Sequence, residues 1–234
     1  MKISICMATH NGSRFIKKQL DSILSQITVN DEIIISDDSS TDDTIEIINS
    51  YKDNRIILFE NNKFYDPVFN MENALKHAGG DYIFLADQDD IWMKNKVTVC
   101  VHYLQHYDLV LSDCSIIDEN DDTIEESFFK LRNSKPGFFN NLFLNSYIGC
   151  CMAFNKKILK KILPFPKDIA IHDMWIGLIA ELVGNIHFID QKLVCYRRHS
   201  ENLSSTTQFS KYSINYRINY RLRLIRSLIR RVYL

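Results

Sequence analysis

This chain of 234 residues is defined first by what it lacks. No apolar stretch approaches the ~20 residues of a membrane-spanning helix. The N-terminal run Met1-Lys-Ile-Ser-Ile-Cys-Met-Ala is too short for a signal peptide and leads directly into a polar turn. Both absences point to a cytoplasmic protein. The six cysteines, Cys6, Cys100, Cys114, Cys150, Cys151 and Cys195, form no Cys-x-x-Cys pair. That argues against a zinc site or a disulfide framework and for buried thiols in a reducing compartment. A net charge of -1 argues against a globally nucleic-acid-binding surface. Neither Gly-x-Gly-x-x-Gly nor Gly-x-x-x-x-Gly-Lys-Ser/Thr occurs, so any phosphate would be held by a metal and side chains, not a glycine-rich loop. Finally, no Asp or Glu follows Glu201, although arginine is frequent there.

What is present is an ordinary soluble composition, 46% hydrophobic and 24% charged, enough for one large domain or two small ones. Ile3 to Ala8, Glu32 to Ser36, Arg55 to Phe59 and Tyr82 to Ala86 read as short buried strands. Between them lie three helical segments. Ser13 is a candidate cap for the first and Ser40 to Asp43 for the second. The third, Val68 to Ala78, is expected to end at a Gly79-Gly80 C-cap. The first half is therefore β-α-β-α-β-α-β, which predicts an α/β fold with a parallel sheet and helices on both faces. Such sheets bind ligands beyond the carboxyl ends of their strands.

Polar groups follow three of the four strands: Thr9 and Asn11, then Asp37 and Asp38, then Asp87, Asp89 and Asp90. The last cluster is the most telling. Carboxylates just past a buried strand repel one another and are costly to desolvate without a partner. A hard divalent cation such as Mg²⁺ would supply one. In an extended segment Asp87 and Asp89 point to the same side. A polar turn is the alternative reading of this stretch taken alone.

After Met93 the alternation breaks down. Val97 to Leu104 reads as a helix, Leu109 to Ser112 as a strand, Asp118 to Glu126 as a solvated hairpin or loop, and Tyr147 to Phe154 as a strand. Lys156 to Leu163 reads as a basic helix stopped by Pro164 and Pro166. Ile171 to Val183 reads as an amphipathic helix starting near His172-Asp173, and Val194 to His199 as a last strand. Trp92 and Trp175 read as packing residues, and Arg197 and Arg198 as phosphate-binding or solvated.

With these elements in order, the chain resembles an inverting family-2 glycosyltransferase of GT-A fold over about residues 3 to 205. The resemblance rests on Ile3-Ser-Ile-Cys-Met-Ala-Thr-His-Asn-Gly, Glu32-Ile-Ile-Ile-Ser-Asp-Asp-Ser-Ser-Thr-Asp and Gly80-Asp-Tyr-Ile-Phe-Leu-Ala-Asp-Gln-Asp-Asp-Ile-Trp. Gly149-Cys-Cys-Met-Ala-Phe-Asn, His172-Asp-Met-Trp and Tyr196-Arg-Arg-His-Ser-Glu-Asn complete it. Asp-Gln-Asp-Asp-Ile-Trp and His-Asp-Met-Trp are most similar to the rhamnosyltransferase-like branch, which builds bacterial surface polysaccharides. The resemblance implies a Rossmann-like, mostly parallel central sheet flanked by helices. It implies a UDP- or dTDP-sugar donor, contacted by Ala8, Thr9, Asn11, Asp38 and Asp87. It implies Mg²⁺ or Mn²⁺ held by Asp89 and His199, and Asp173 as catalytic base, with transfer to a glycan acceptor that is expected to be lipid-linked. The base position commonly reads Glu-Asp in the family; here it is His172-Asp173. Two alternatives are a sugar-1-phosphate nucleotidylyltransferase, which would need a glycine-rich basic loop after the first strand, and a non-catalytic nucleotide-sugar-binding scaffold.

The expected division is 1–205 as the catalytic domain, with a nucleotide-sugar half at 1–93 and an acceptor half at 94–205, followed by a basic amphipathic helix at 206–234. In that tail Ile218, Leu222, Ile225, Ile229 and Val232 recur at helical spacing among arginines. Such a helix suits the anionic inner face of the cytoplasmic membrane. Docking on the domain or pairing with a second copy are the other readings.

Overall fold

A computed structural model of the chain describes residues 1–199 and 214–233. The first half follows the expected alternation: β1 (Ile3–Thr9), α1 (Ile16–Leu24), β2 (Glu32–Asp37), α2 (Thr44–Ser50), β3 (Ile56–Phe59), α3 (Pro67–Lys76) and β4 (Tyr82–Asp87). The second half comprises β5 (Ile91–Trp92), α4 (Lys96–Leu104), β6 (Leu109–Ile117), β7 (Thr123–Glu125), α5 (Phe128–Arg132) and α6 (Phe138–Leu144). It continues with β8 (Met152–Asn155), α7 (Lys156–Ile162), α8 (His172–Val183), β9 (Ile186–Arg197) and α9 (Ile214–Tyr233). The expected boundary at residue 205 lies outside the described residues.

One sheet runs through the molecule in the order β3-β2-β1-β4-β8-β6-β9-β5, with β7 on β6. The strands β3, β2, β1 and β4 are parallel, as their apolar runs predict. Every residue of β2 is buried. Beyond β4 the sheet becomes mixed. β8 is antiparallel to both β4 and β6, and β5 to β9, whereas β6 and β9 are parallel. A single hydrophobic core joins both halves.

Several local readings need correction. Ser13 does not cap α1; its N–H donates to Asp42 Oδ2 at 3.0 Å, and Phe15 begins that helix without a side-chain cap. Nor does Asp43 cap α2 with its side chain, because Asp42 accepts from the Thr44 N–H instead. The Gly79-Gly80 pair is not the cap of α3, which stops at Lys76. Gly80 instead passes tightly over β1: an added Cβ would sit 2.7 Å from the Ser4 nitrogen. Residues 147 to 151 are not strand; Gly149–Cys151 is a 3₁₀ turn. β9 is twelve residues long, far longer than expected, because the nine residues of β6 give it a partner past the exposed Asp190, Gln191 and Lys192.

The C-terminal helix docks on the domain. Leu224 and Leu228 are buried against α7 and α8. Arg221 donates to the carbonyls of Leu142 (2.9 Å) and Phe143 (2.7 Å), and Arg231 to those of Leu163 and Pro164. The apolar stripe noted in the sequence docks only in part: Ile225 and Val232 pack against the core, whereas Ile218, Leu222 and Ile229 stay about half exposed. No helix among the described residues is long and apolar enough to cross a membrane.

Candidate active site

The carboxyl ends of β1, β2 and β4 meet because the strands are in register: Ala8 pairs with Asp87 and Thr9 with Asp37. Thr9 is buried, and its hydroxyl donates to Asp37 Oδ2 at 2.8 Å. It therefore shapes the turn with its side chain, while its carbonyl accepts the Asp38 N–H at 2.9 Å and the Asn70 amide at 3.1 Å. Asn11 has a left-handed backbone (φ 49°), which asparagine tolerates well. Its Oδ1 accepts the Thr41 N–H at 2.8 Å, closing the turn against the loop after β2. Asp38 accepts the backbone N–H groups of Phe64 (2.7 Å) and Asp66 (3.3 Å), so it orders the loop before α3. A carboxylate has about four lone-pair sites, so it retains accepting capacity.

Gln88 clamps the acid loop to this turn. Its Oε1 accepts the His10 N–H at 2.9 Å, and its Nε2 donates to the His10 carbonyl at 3.0 Å. Beyond it, His199 Nε2 lies 2.8 Å from Asp89 Oδ2. The structure thus brings together the two residues expected to hold a metal, although 110 positions separate them. Asp90 is fully buried and accepts the Arg197 N–H at 2.9 Å, while its Oδ2 has no hydrogen-bond partner among the described residues. Arg197 is neither solvated nor a phosphate ligand. It is fully buried, donating to the Asp89 carbonyl and paired with Asp121 at 2.6 Å. Arg198 differs: its Nε and Nη2 are shielded and lack partners among the described residues.

Asp173 lies in the first turn of α8, with Oδ1 2.7 Å from His172 Nε2. Gly149 faces it, and a Cβ there would come within 2.6 Å of that oxygen. The electrostatics bind the two halves together. Burial, then the charges of Asp89 and Asp173, push the Asp87 carboxyl up to about 7, against the opposite pull of His172. Burial alone would lower His172, but Asp173 and then Asp87 and Asp66 outweigh it and hold the imidazole above its ordinary value. Asp90 is raised well above the usual carboxylate range by burial and then by Asp89 and Asp87.

This acid cluster suits a divalent cation. Adjacent ligands on an octahedral Mg²⁺ at 2.0–2.1 Å lie about 3 Å apart, close to the Asp89–His199 spacing. Ligand atoms of Asp87, Asp90 and Cys150 also lie within 4.8 Å of one another. Burial, with Cys151 and Asp90 nearby, raises the Cys150 thiol far above its usual value. The hard carboxylate oxygens suit Mg²⁺ better than that thiol does. Sequence reasoning placed Asp90 only within the acid cluster and gave Gln88 and Gly149 no individual role. The partners that reveal theirs, Arg197, His10 and Asp173, are remote in the chain. Trp175 is fully buried and donates to the Ile162 carbonyl, as a packing residue would.

Residues 4–163 match the model of glycosyl transferase family 2. The chain is 32% identical over 208 residues to the Escherichia coli UDP-Glc:alpha-D-GlcNAc-diphosphoundecaprenol beta-1,3-glucosyltransferase WfaP, covering 87% of this chain and 80% of that protein. It is 30% identical to the Shigella flexneri dTDP-rhamnosyl transferase RfbG, covering 84% and 72%. Among solved structures, Staphylococcus aureus TarS 1–349 in complex with UDP-GlcNAc superposes with a TM-score of 0.72 at 20% identity, covering 99% of this chain and 66% of that one. That likeness concerns the fold, which is GT-A.

Proposed function

Because the chain belongs to glycosyl transferase family 2 and is a glycosyltransferase, we propose that it transfers a sugar with inversion from a UDP- or dTDP-sugar to a lipid-linked glycan in bacterial surface polysaccharide assembly. The observation that carries this reading is the convergence of Asp87, Asp89 and His199 with Asp173 from the other half of the chain. The relatives named for UDP-glucose and dTDP-rhamnose support the donor class, and the diphosphoundecaprenol in one of their names supports the acceptor.

In this reading residues 1–93 hold the nucleotide. The turn at Ala8, Thr9 and Asn11 faces base and ribose, Asp38 accepts from the base, and Asp87 sits by the ribose. Asp89 and His199, with Asp87 or Asp90 nearby, hold Mg²⁺ or Mn²⁺. An ion held there would supply charge to offset that of the departing diphosphate. The shielded Arg198 guanidinium is a further diphosphate contact. Asp173 accepts the proton of the acceptor hydroxyl as its oxygen bonds to the anomeric carbon. The carbon–oxygen bond to the diphosphate breaks on the opposite side, releasing the nucleoside diphosphate. His172, 2.7 Å from Asp173, orients that carboxylate. Residues 94–205 supply the acceptor side, and the C-terminal helix brings the enzyme to the inner face of the cytoplasmic membrane.

The test is melting temperature against UDP-, dTDP- and GDP-sugars, with and without Mn²⁺. A ligand at 100 times its Kd adds about 2.7 kcal/mol. Metal-dependent stabilisation by one nucleotide class is expected. No shift with any of them at saturating metal would sink the donor assignment.

A further inference from the structure

Six of the fourteen large apolar side chains exposed among the described residues lie on two helices, α6 and α9. On α6, Phe139 (76% exposed), Phe143 (59%) and Leu144 (67%) face out. Phe139 and Phe143 are four apart and so share one side of the helix. On α9, at 100° per residue, three stripes separate. Leu224 and Leu228 point inward, Ile218, Leu222 and Ile229 point outward, and the exposed Arg223, Arg226 and Arg230 run beside the outward stripe.

The two helices are physically joined. The bonds from Arg221 to the Leu142 and Phe143 carbonyls fasten the end of α6 to α9, and the guanidinium lies 5.7 Å from the Phe143 ring. The aromatic end of α6 thus lies against α9 at Arg221. Among the arginines of α9 whose side chains are described, Arg221 and Arg231 are committed to protein carbonyls, which leaves Arg223, Arg226 and Arg230 as the charge this face presents. Neither helix contains Asp or Glu.

We propose that α6 and α9 form one two-helix platform that lies on an anionic bilayer. Phe139, Phe143 and Leu144 enter the acyl boundary, and Arg223, Arg226 and Arg230 meet headgroup phosphates. Aliphatic and aromatic side chains flanked by arginine are the composition that this boundary favours. A two-fold related second copy would instead set arginine stripe against arginine stripe. The proposal deepens the lipid-linked-acceptor reading and rests on it for its purpose. The helix carrying Asp173, α8, packs against both α6 and α9, so the platform is built on the same element as the base.

The experiment is co-sedimentation of the full chain with phosphatidylcholine vesicles, with and without phosphatidylglycerol, at low and high salt. Binding should require the anionic lipid and weaken with salt. The combined variant Phe139→Ser, Phe143→Ser, Leu144→Ser should bind at least about tenfold more weakly, since each buried methylene contributes. Replacing Arg223, Arg226 and Arg230 by Gln should remove the preference for anionic lipid. An unchanged nucleotide-induced melting shift in both variants would show that the fold is intact. A parent chain that ignores both vesicle types would overturn the proposal, as would unchanged binding by the triple variant. Sedimentation velocity gives a third overturning outcome: a parent dimer, indifferent to vesicles, that the triple variant dissolves would make this face a chain–chain contact. Vesicle binding by a parent that shows no nucleotide shift would sink the donor reading and leave the platform standing.

Discussion

The two halves of the sheet build their share of the site in different ways. In β1 to β4 the site residues are simply where parallel strands stop, and register brings them together: Ala8 beside Asp87, Thr9 beside Asp37. From β5 onward they come from a 3₁₀ turn, a helix start and a strand end, assembled across a mixed sheet. A binding surface can thus follow from strand order alone. Placing Asp173, the proposed base, needs a glycine turn, a histidine neighbour and the close approach of α8.

If the first half binds and the second half acts, substitutions should separate the two. Asp173→Asn should give the largest effect, lowering transfer by roughly 10²–10⁴-fold while donor-induced stabilisation is retained. Transfer at the parent rate would mean that the base lies elsewhere. Asp89→Ala should do the reverse, abolishing the Mn²⁺-dependent part of the nucleotide melting shift; a preserved shift would move the ion to Asp87 and Asp90. Gly149→Ala should be milder. Its Cβ would displace the Asp173 oxygen 2.6 Å away, and misplacement by an ångström costs about 10²-fold in kcat, with donor affinity unaffected. A fall in donor affinity instead would blur the division between the halves.

The smallest effect concerns pH. Asp87 has its carboxyl raised to about 7 from the ordinary 3.8 of a free aspartate side chain. The unfolded chain therefore loses this proton first, so the stability linked to Asp87 is present at low pH and declines as pH rises from about 4 through 7. Mg²⁺ should restore it, with a larger melting shift at pH 8 than at pH 5. Equal shifts at both would show that Asp87 is not part of the ion's surroundings.

The legibility of the sequence follows the same division. The β-α alternation, the acids ending β2 and β4, and the Asp89 and His199 pair could all be named beforehand. Apolar runs mark strands whatever surrounds them, although β3, at the sheet edge, is only partly buried, and the ordered motifs carried the pairing. The 3₁₀ turn at Gly149 was hidden because small apolar residues look the same in a strand and in a tight turn. Arg197 beside Arg198 read as one basic turn, but only the fold reveals that the first is sealed against Asp90 and Asp121. In α9 the periodicity was visible, yet which stripe docks depended on Leu224 and Leu228 meeting α8.

The Gln88 clamp has a thermodynamic consequence. Its amide holds both backbone groups of His10, so the β1 turn and the acid loop cannot rearrange independently. Nucleoside at the turn and cation at the loop would then be reciprocal effectors: whatever factor the ion adds to nucleotide affinity, the nucleotide must add to ion affinity. Cutting that amide should leave each ligand able to bind alone while shrinking the factor they share.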